Sequence, residues 1–141
     1  MSYQNANNDI RNAFQTARSV LKQGGIFLFD VWYGPGVLSD KPSLRVKEVE
    51  DDKNCLIRIA RPVLYDNRNI VDVNYEILVI NKDTDIVSKI YETHSMRYFF
   101  TPEVIMLLNE ARFDLIECVD CTTLGNTSFD SWYVYYIAKA V

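Results

Sequence analysis

Cysteine is scarce in this 141-residue chain, and the three present, Cys55, Cys118 and Cys121, are an odd number. That excludes a disulfide framework. Cys118 and Cys121 form a C-x-x-C pair, but a zinc site needs a second pair of ligands and the chain has one histidine. A redox pair belongs at a helix start, whereas these two lie in a strand-like run. Basic charge is short as well: 15 Lys and Arg against 19 Asp and Glu leave a net charge of −4. A nucleic-acid partner needs a basic face, so none is expected. No apolar run reaches the ~18 residues that would span a membrane, and no signal-peptide pattern is present. Unpaired thiols then point to a cytoplasmic protein. Glycine numbers only five. Gly34-Pro35-Gly36 is not a phosphate cradle, because a proline separates the glycines and no helix is predicted after them. No repeat, low-complexity tract or linker divides the chain, so 1–141 reads as one domain.

What the chain does have is apolar content, 48%, sufficient for one core. Its most telling stretch is Gly25-Ile26-Phe27-Leu28-Phe29-Asp30-Val31-Trp32. A continuous apolar run of this length predicts a strand over 25–31 buried on both faces, as in a parallel sheet. Before it, Ile10, Ala13, Phe14, Ala17 and Leu21 recur at helical spacing and predict a helix over 8–23. Asn5 to Asn8 supply caps for it and Gly24 a left-handed stop. Ligands bind outside the carboxyl ends of strands in open α/β sheets, which sets Asp30 and Trp32 at the mouth of a site.

Residues 33–42 read as a loop. Four strand-like segments follow, near 44–50, 55–64, 70–80 and 86–100, joined by short polar turns. Such turns between alternating runs predict an antiparallel meander over 43–100. Thr101-Pro102-Glu103 reads as cap, proline and first-turn acid of a helix over 102–112. Strands are predicted near 114–121 and 131–140. The fold class is α/β, or α+β for a piece taken alone.

In this order Leu21-Lys22-Gln23-Gly24-Gly25, Phe99-Phe100-Thr101-Pro102-Glu103-Val104, Asn109-Glu110-Ala111-Arg112-Phe113, Trp132-Tyr133-Val134 and Ala138-Lys139 resemble the C-terminal half of a class I S-adenosylmethionine-dependent methyltransferase. The segment Glu92-Thr93-His94-Ser95-Met96-Arg97-Tyr98-Phe99 is most similar to its small-molecule group, which includes nucleotide-sugar N-methyltransferases. The resemblance covers nearly the whole chain. Two departures stand out. Arg112 occupies a position where the family commonly has glycine, so that helix is expected to end without a left-handed residue. The glycine-rich turn and acid that hold the cofactor in the family match nothing in this sequence. The resemblance therefore implies a partial Rossmann-like sheet from a longer enzyme, with Met1–Gln4 corresponding to the end of its fourth strand and the loop after it.

It also implies S-adenosylmethionine as cofactor of the parent enzyme and a small amine or hydroxyl as acceptor, with this chain inactive alone. The alternatives are a non-catalytic, oligomeric binding module and a ligand carrier built on the antiparallel sheet. His94, the one side chain suited to proton transfer near neutrality, is the candidate base or substrate orienter. Tyr3 and Gln4 fall in the loop that touches acceptor and cofactor in the family. Asp30 is a candidate for an acceptor amine or hydroxyl, Trp32 for a pocket wall, and Arg97 for a bidentate clamp on an acceptor phosphate or carboxylate. A strand at 25–31 without its fourth-strand neighbour would leave an apolar edge, and a homodimer covering that edge is expected.

Overall fold

A computed structural model describes residues 1–141. It is a mixed α/β fold, as the sequence implies. In chain order the elements are α1 (Asn7–Val20), β1 (Ile26–Tyr33), α2 (Gly34–Ser39), β2 (Arg45–Glu50), β3 (Asn54–Tyr65), β4 (Ile70–Asn81), β5 (Val87–Phe99), α3 (Thr101–Glu110), β6 (Phe113–Asp120) and β7 (Tyr133–Ala140). A single 3-10 turn, Asp66–Arg68, joins β3 to β4. The seven strands are ordered β2-β3-β4-β5-β1-β7-β6. The chain forms two compact units, Met1–Lys41 with Met96–Val141, and Pro42–Ser95.

The first unit has helices against a sheet. β1 pairs along its length with β7, antiparallel, and β7 pairs antiparallel with β6. On its other side β1 meets β5 in parallel at Trp32 and Tyr33. Alternation along β1 sends Phe27, Phe29 and Val31 to one face. There Phe14 of α1 meets Phe27 at 5.6 Å and Phe29 at 5.0 Å, and Phe27 reaches Phe113 at 5.2 Å. Ile10, Val104, Leu107, Leu108, Val134, Tyr136 and Ala138 complete the same buried cluster. Thus α1 and α3 share one face of the sheet.

The opposite face of β1 is bare. Ile26 is 52% and Leu28 57% exposed. The expectation of burial on both faces is therefore corrected: α1 and α3 cover the same side, and Ile26 and Leu28 on the other side stay exposed. The edge expected along 25–31 is also partly filled. The Met1 amine donates to the Asp30 carbonyl at 2.9 Å, and the Trp32 amide donates to Ser2 Oγ at 2.8 Å. Residues 26–29 have no strand beside them on that side.

Several local expectations change. Residues 34–39 form a short helix rather than a loop. Gly36 permits it, because a Cβ there would lie 2.0 Å from the Ser131 carbonyl oxygen. α1 stops at Val20, and Gly24, at φ +81°, turns the chain into β1 instead of ending the helix. Ala6, not an asparagine, precedes α1, and Asn7 gives its side chain to Arg97. Thr101 lies inside α3 after Phe100, and its hydroxyl bonds Tyr136 Oη at 2.9 Å. Arg112 does take the left-handed conformation that its type disfavours, at φ +59°. Its carbonyl accepts from Val141, which fixes the entry to β6.

The second unit is an antiparallel meander. β3 pairs with β2 and β4 in continuous register, and the β3–β4 turn is closed by Asn69 at φ +55°. No helix belongs to this unit, apart from the 3-10 turn. Apolar side chains lie on both of its faces. Val46, Val49, Val63 and Ile90 are exposed, and Ile57, Ile59, Ile77 and Val79 are half-buried.

Candidate functional site

The carboxyl end of β1 gathers most of the residues that the sequence singled out. Its position is fixed by Ser2, a buried serine. Ser2 Oγ accepts from the Trp32 amide, and its carbonyl accepts from the Arg97 amide at 2.7 Å. This one residue ties the N-terminal segment to the ends of β1 and β5. It was not singled out from the sequence, where a serine near a terminus carries no signal. Tyr3 follows at the surface, 60% exposed, and Gln4 closes a turn by donating from its amide to the Met1 carbonyl at 3.0 Å.

Asp30 points to solvent, with its carboxylate 3.6 Å from the Met1 amine. Trp32 stands in an aromatic group, 5.4 Å from the Trp132 ring and 6.2 Å from Tyr133. Such edge-on contacts hold an indole in place as a wall. Trp132 buries its Nε1 without a partner.

Arg97 sits differently from the expected clamp. It is buried, ion-paired through Nη2 to Glu103, and donates from Nη1 to Asn7 Oδ1 at 2.9 Å and to the Asn5 carbonyl at 3.3 Å. Its guanidinium lies 5.0 Å from the Phe99 ring centre. Both terminal nitrogens are thus engaged by the chain itself, which ties the start of α1 to the first turn of α3.

His94 belongs to the other unit. Its Nε2 lies 3.2 Å from Glu92 Oε2, and its ring stands edge-on to Tyr75 at 5.3 Å. Arg58 lies 5.2 Å from the centre of the same Tyr75 ring. Sequence reading placed Tyr75 on one face of an alternating strand. It missed that Arg58, Tyr75, Glu92 and His94 share that face, because their meeting depends on cross-strand register. The opposite face of the meander is polar where Ser95 bonds Asp72 and Thr93 donates to Asn74 at 2.8 Å.

Four further titratable groups lie in the first unit around β6 and β7. Cys118 and Cys121 are free, and burial pushes both thiols up, away from the thiolate that redox or metal chemistry needs. Burial likewise raises Tyr136. Asp120 is held down at about 2, first by the Ser131 hydroxyl, then by the Thr123 and Thr122 amides, and it shapes the turn after β6. No helix is long and apolar enough to cross a membrane.

The mixed sheet, with a parallel β5–β1 pair, an antiparallel last strand and helices against it, is a methyltransferase-like fold. Solved structures bear this out. A methyltransferase of that kind from Clostridium acetobutylicum aligns with 99% of this chain at a TM-score of 0.79 and 19% identity. DesVI from Streptomyces venezuelae aligns at 0.75 and 13%, and the sugar N-methyltransferase KedS8 from Streptoalloteichus at 0.76 and 14%, each over 99% of the chain. The chain spans only about half of these proteins: 54% of the first two and 51% of KedS8. No protein-family model matches the chain, and no curated protein matches it in sequence.

The residues present do not by themselves fit S-adenosylmethionine. A nucleoside cofactor needs glycines that leave room beside the backbone. Here the space beside Gly34 is filled by Phe100 and that beside Gly36 by Ser131.

Proposed function

We propose that this chain is the acceptor-side half of an S-adenosylmethionine-dependent methyltransferase acting on a small amine or hydroxyl. The observation that carries the reading is the His94–Glu92 pair at 3.2 Å against the Tyr75 ring, in a fold shared with such enzymes. Glu92 orients the imidazole through that contact, and His94 is the group to take the proton that an amine or hydroxyl loses as it is methylated. Within the first unit by itself, Asp30 is a solvent-facing carboxylate suited to accept a hydrogen bond from a ligand, Trp32 is a wall, and Tyr3 and Gln4 complete the loop beside them. Arg97 holds that loop in position through its bonds to Asn5 and Asn7.

The test is a chimera joining the first half of the Clostridium enzyme to this chain. It is expected to bind S-adenosylhomocysteine and to transfer labelled methyl to members of an amine and hydroxyl panel. His94→Gln is expected to lower kcat by about 10²–10⁴ with cofactor binding retained. A folded chimera that binds S-adenosylhomocysteine yet methylates nothing in the panel defeats the proposal. That result would favour a non-catalytic module, the reading that the filled space beside Gly34 and Gly36 supports. In the same proposal, a second copy covers the open edge and bare face at residues 26–29.

A further inference from the structure

The outer part of the meander carries an electrostatic arrangement that the methyl-transfer reading does not use. Lys47 of β2 stands directly opposite Arg58 of β3, and Arg45 lies two residues from Lys47 on the same face. Directly opposed side chains in an antiparallel pair have Cβ atoms about 5 Å apart, and like charges there repel. All three side chains are exposed, and none has a carboxylate in ion-pair range. The neighbouring acids are engaged elsewhere. Glu48 and Glu50 alternate to the opposite face, where Glu48 accepts from Cys55 Sγ at 3.3 Å and Glu50 pairs with Lys82 at 2.8 Å. On the cationic face Glu92 pairs with His94. Three cations thus gather on one face of a chain whose net charge is −4.

We infer that Arg45, Lys47 and Arg58 form a binding site for a phosphate or diphosphate group on a small molecule. Edge strands do use single lysines to discourage pairing with other chains. That purpose does not require a second cation opposite the first. A phosphoryl anion does: it accepts a forked pair of bonds from Arg58 and a point contact from Lys47, and it removes the repulsion between them. Arg58 also touches the Tyr75 ring, and that ring touches His94. The site stands independently of the methyl-transfer reading; where both hold, it takes the anionic end of the acceptor.

Calorimetry and thermal unfolding of the intact chain with inorganic pyrophosphate test this without any cofactor. Saturable binding at millimolar or lower concentration is expected, with a rise in melting temperature. Lys47→Gln and Arg58→Gln should each weaken binding tenfold or more, and Lys22→Gln should leave it unchanged. Arg58→Glu, which places an acid opposite Lys47, should raise the melting temperature of the free chain and abolish the response to pyrophosphate. No saturable response up to about 10 mM, tenfold above a 1 mM dissociation constant, overturns the inference. So does a response that Lys22→Gln weakens as much as Arg58→Gln.

Discussion

The two units solve the problem of covering a sheet in opposite ways. In the first, α1 and α3 seal one face of β1 and β7 around Phe14, Phe29, Phe113 and Tyr136, all nearly inaccessible to solvent. In the second, β2, β3 and β4 carry valine and isoleucine on both faces with no helix of their own. The first unit therefore holds most of the hydrophobic stabilisation, because that term scales with apolar area removed from water. The second is the place for adaptable contacts, and it holds His94, Tyr75 and the cationic group.

The sharpest test of this contrast compares equivalent truncations. Phe14→Ala removes a ring that is 1% exposed and touches two others. It should cost about 3–5 kcal/mol. Ile77→Ala, on the half-buried face of β4, should cost only about 1 kcal/mol. Urea unfolding of both variants measures this. Equal losses would mean that the meander is as well covered as the helical unit, and the contrast would fail.

A second test asks what covers the bare side of the first unit. Light scattering at micromolar concentration is expected to give twice the chain mass. Leu28 is 57% exposed, and Leu28→Glu should weaken association by about 2 kcal/mol, close to thirtyfold, by removing an apolar contact and burying a charge. A monomeric parent chain, or a dimer indifferent to Leu28→Glu, would leave that face without a second copy.

Much of the first unit was legible in the sequence, because local pattern decides it. The helical spacing of Ile10, Phe14 and Ala17 and the continuous apolar run of β1 set element type directly, and in the second unit the alternation in β4 did the same. The bare face of β1 was not legible. Its run of Ile26, Leu28 and their neighbours reads the same whether one face or both are covered, and what covers them is a tertiary matter. α2 was missed because Gly34-Pro35-Gly36 has turn composition, while close approach to Ser131 favours a tight helical turn there. Register separated the candidate residues as well. Arg97 and His94 are three apart in one strand, so their side chains face opposite sides of it. Arg97 meets Glu103 and His94 meets Tyr75, and no local pattern announces either partner.

The smallest effect separates the units by their backbone strain. Arg112 and Asn69 both adopt left-handed conformations, at φ +59° and +55°. Asparagine tolerates that region because its short side chain bonds locally, whereas arginine meets the full Cβ penalty of about 1–2 kcal/mol. Glycine relieves that penalty but adds freedom to the unfolded chain, which returns part of the gain. Arg112→Gly should therefore stabilise the protein by about 0.5–1 kcal/mol, while Asn69→Gly should change it by no more than a few tenths. Paired denaturation curves resolve the difference. If Arg112→Gly destabilised instead, the arginine side chain would be contributing more than its backbone costs. The open pocket that it lines with Gln15, Arg18, Ser19 and Glu110 would then hold the first unit's helix ends together.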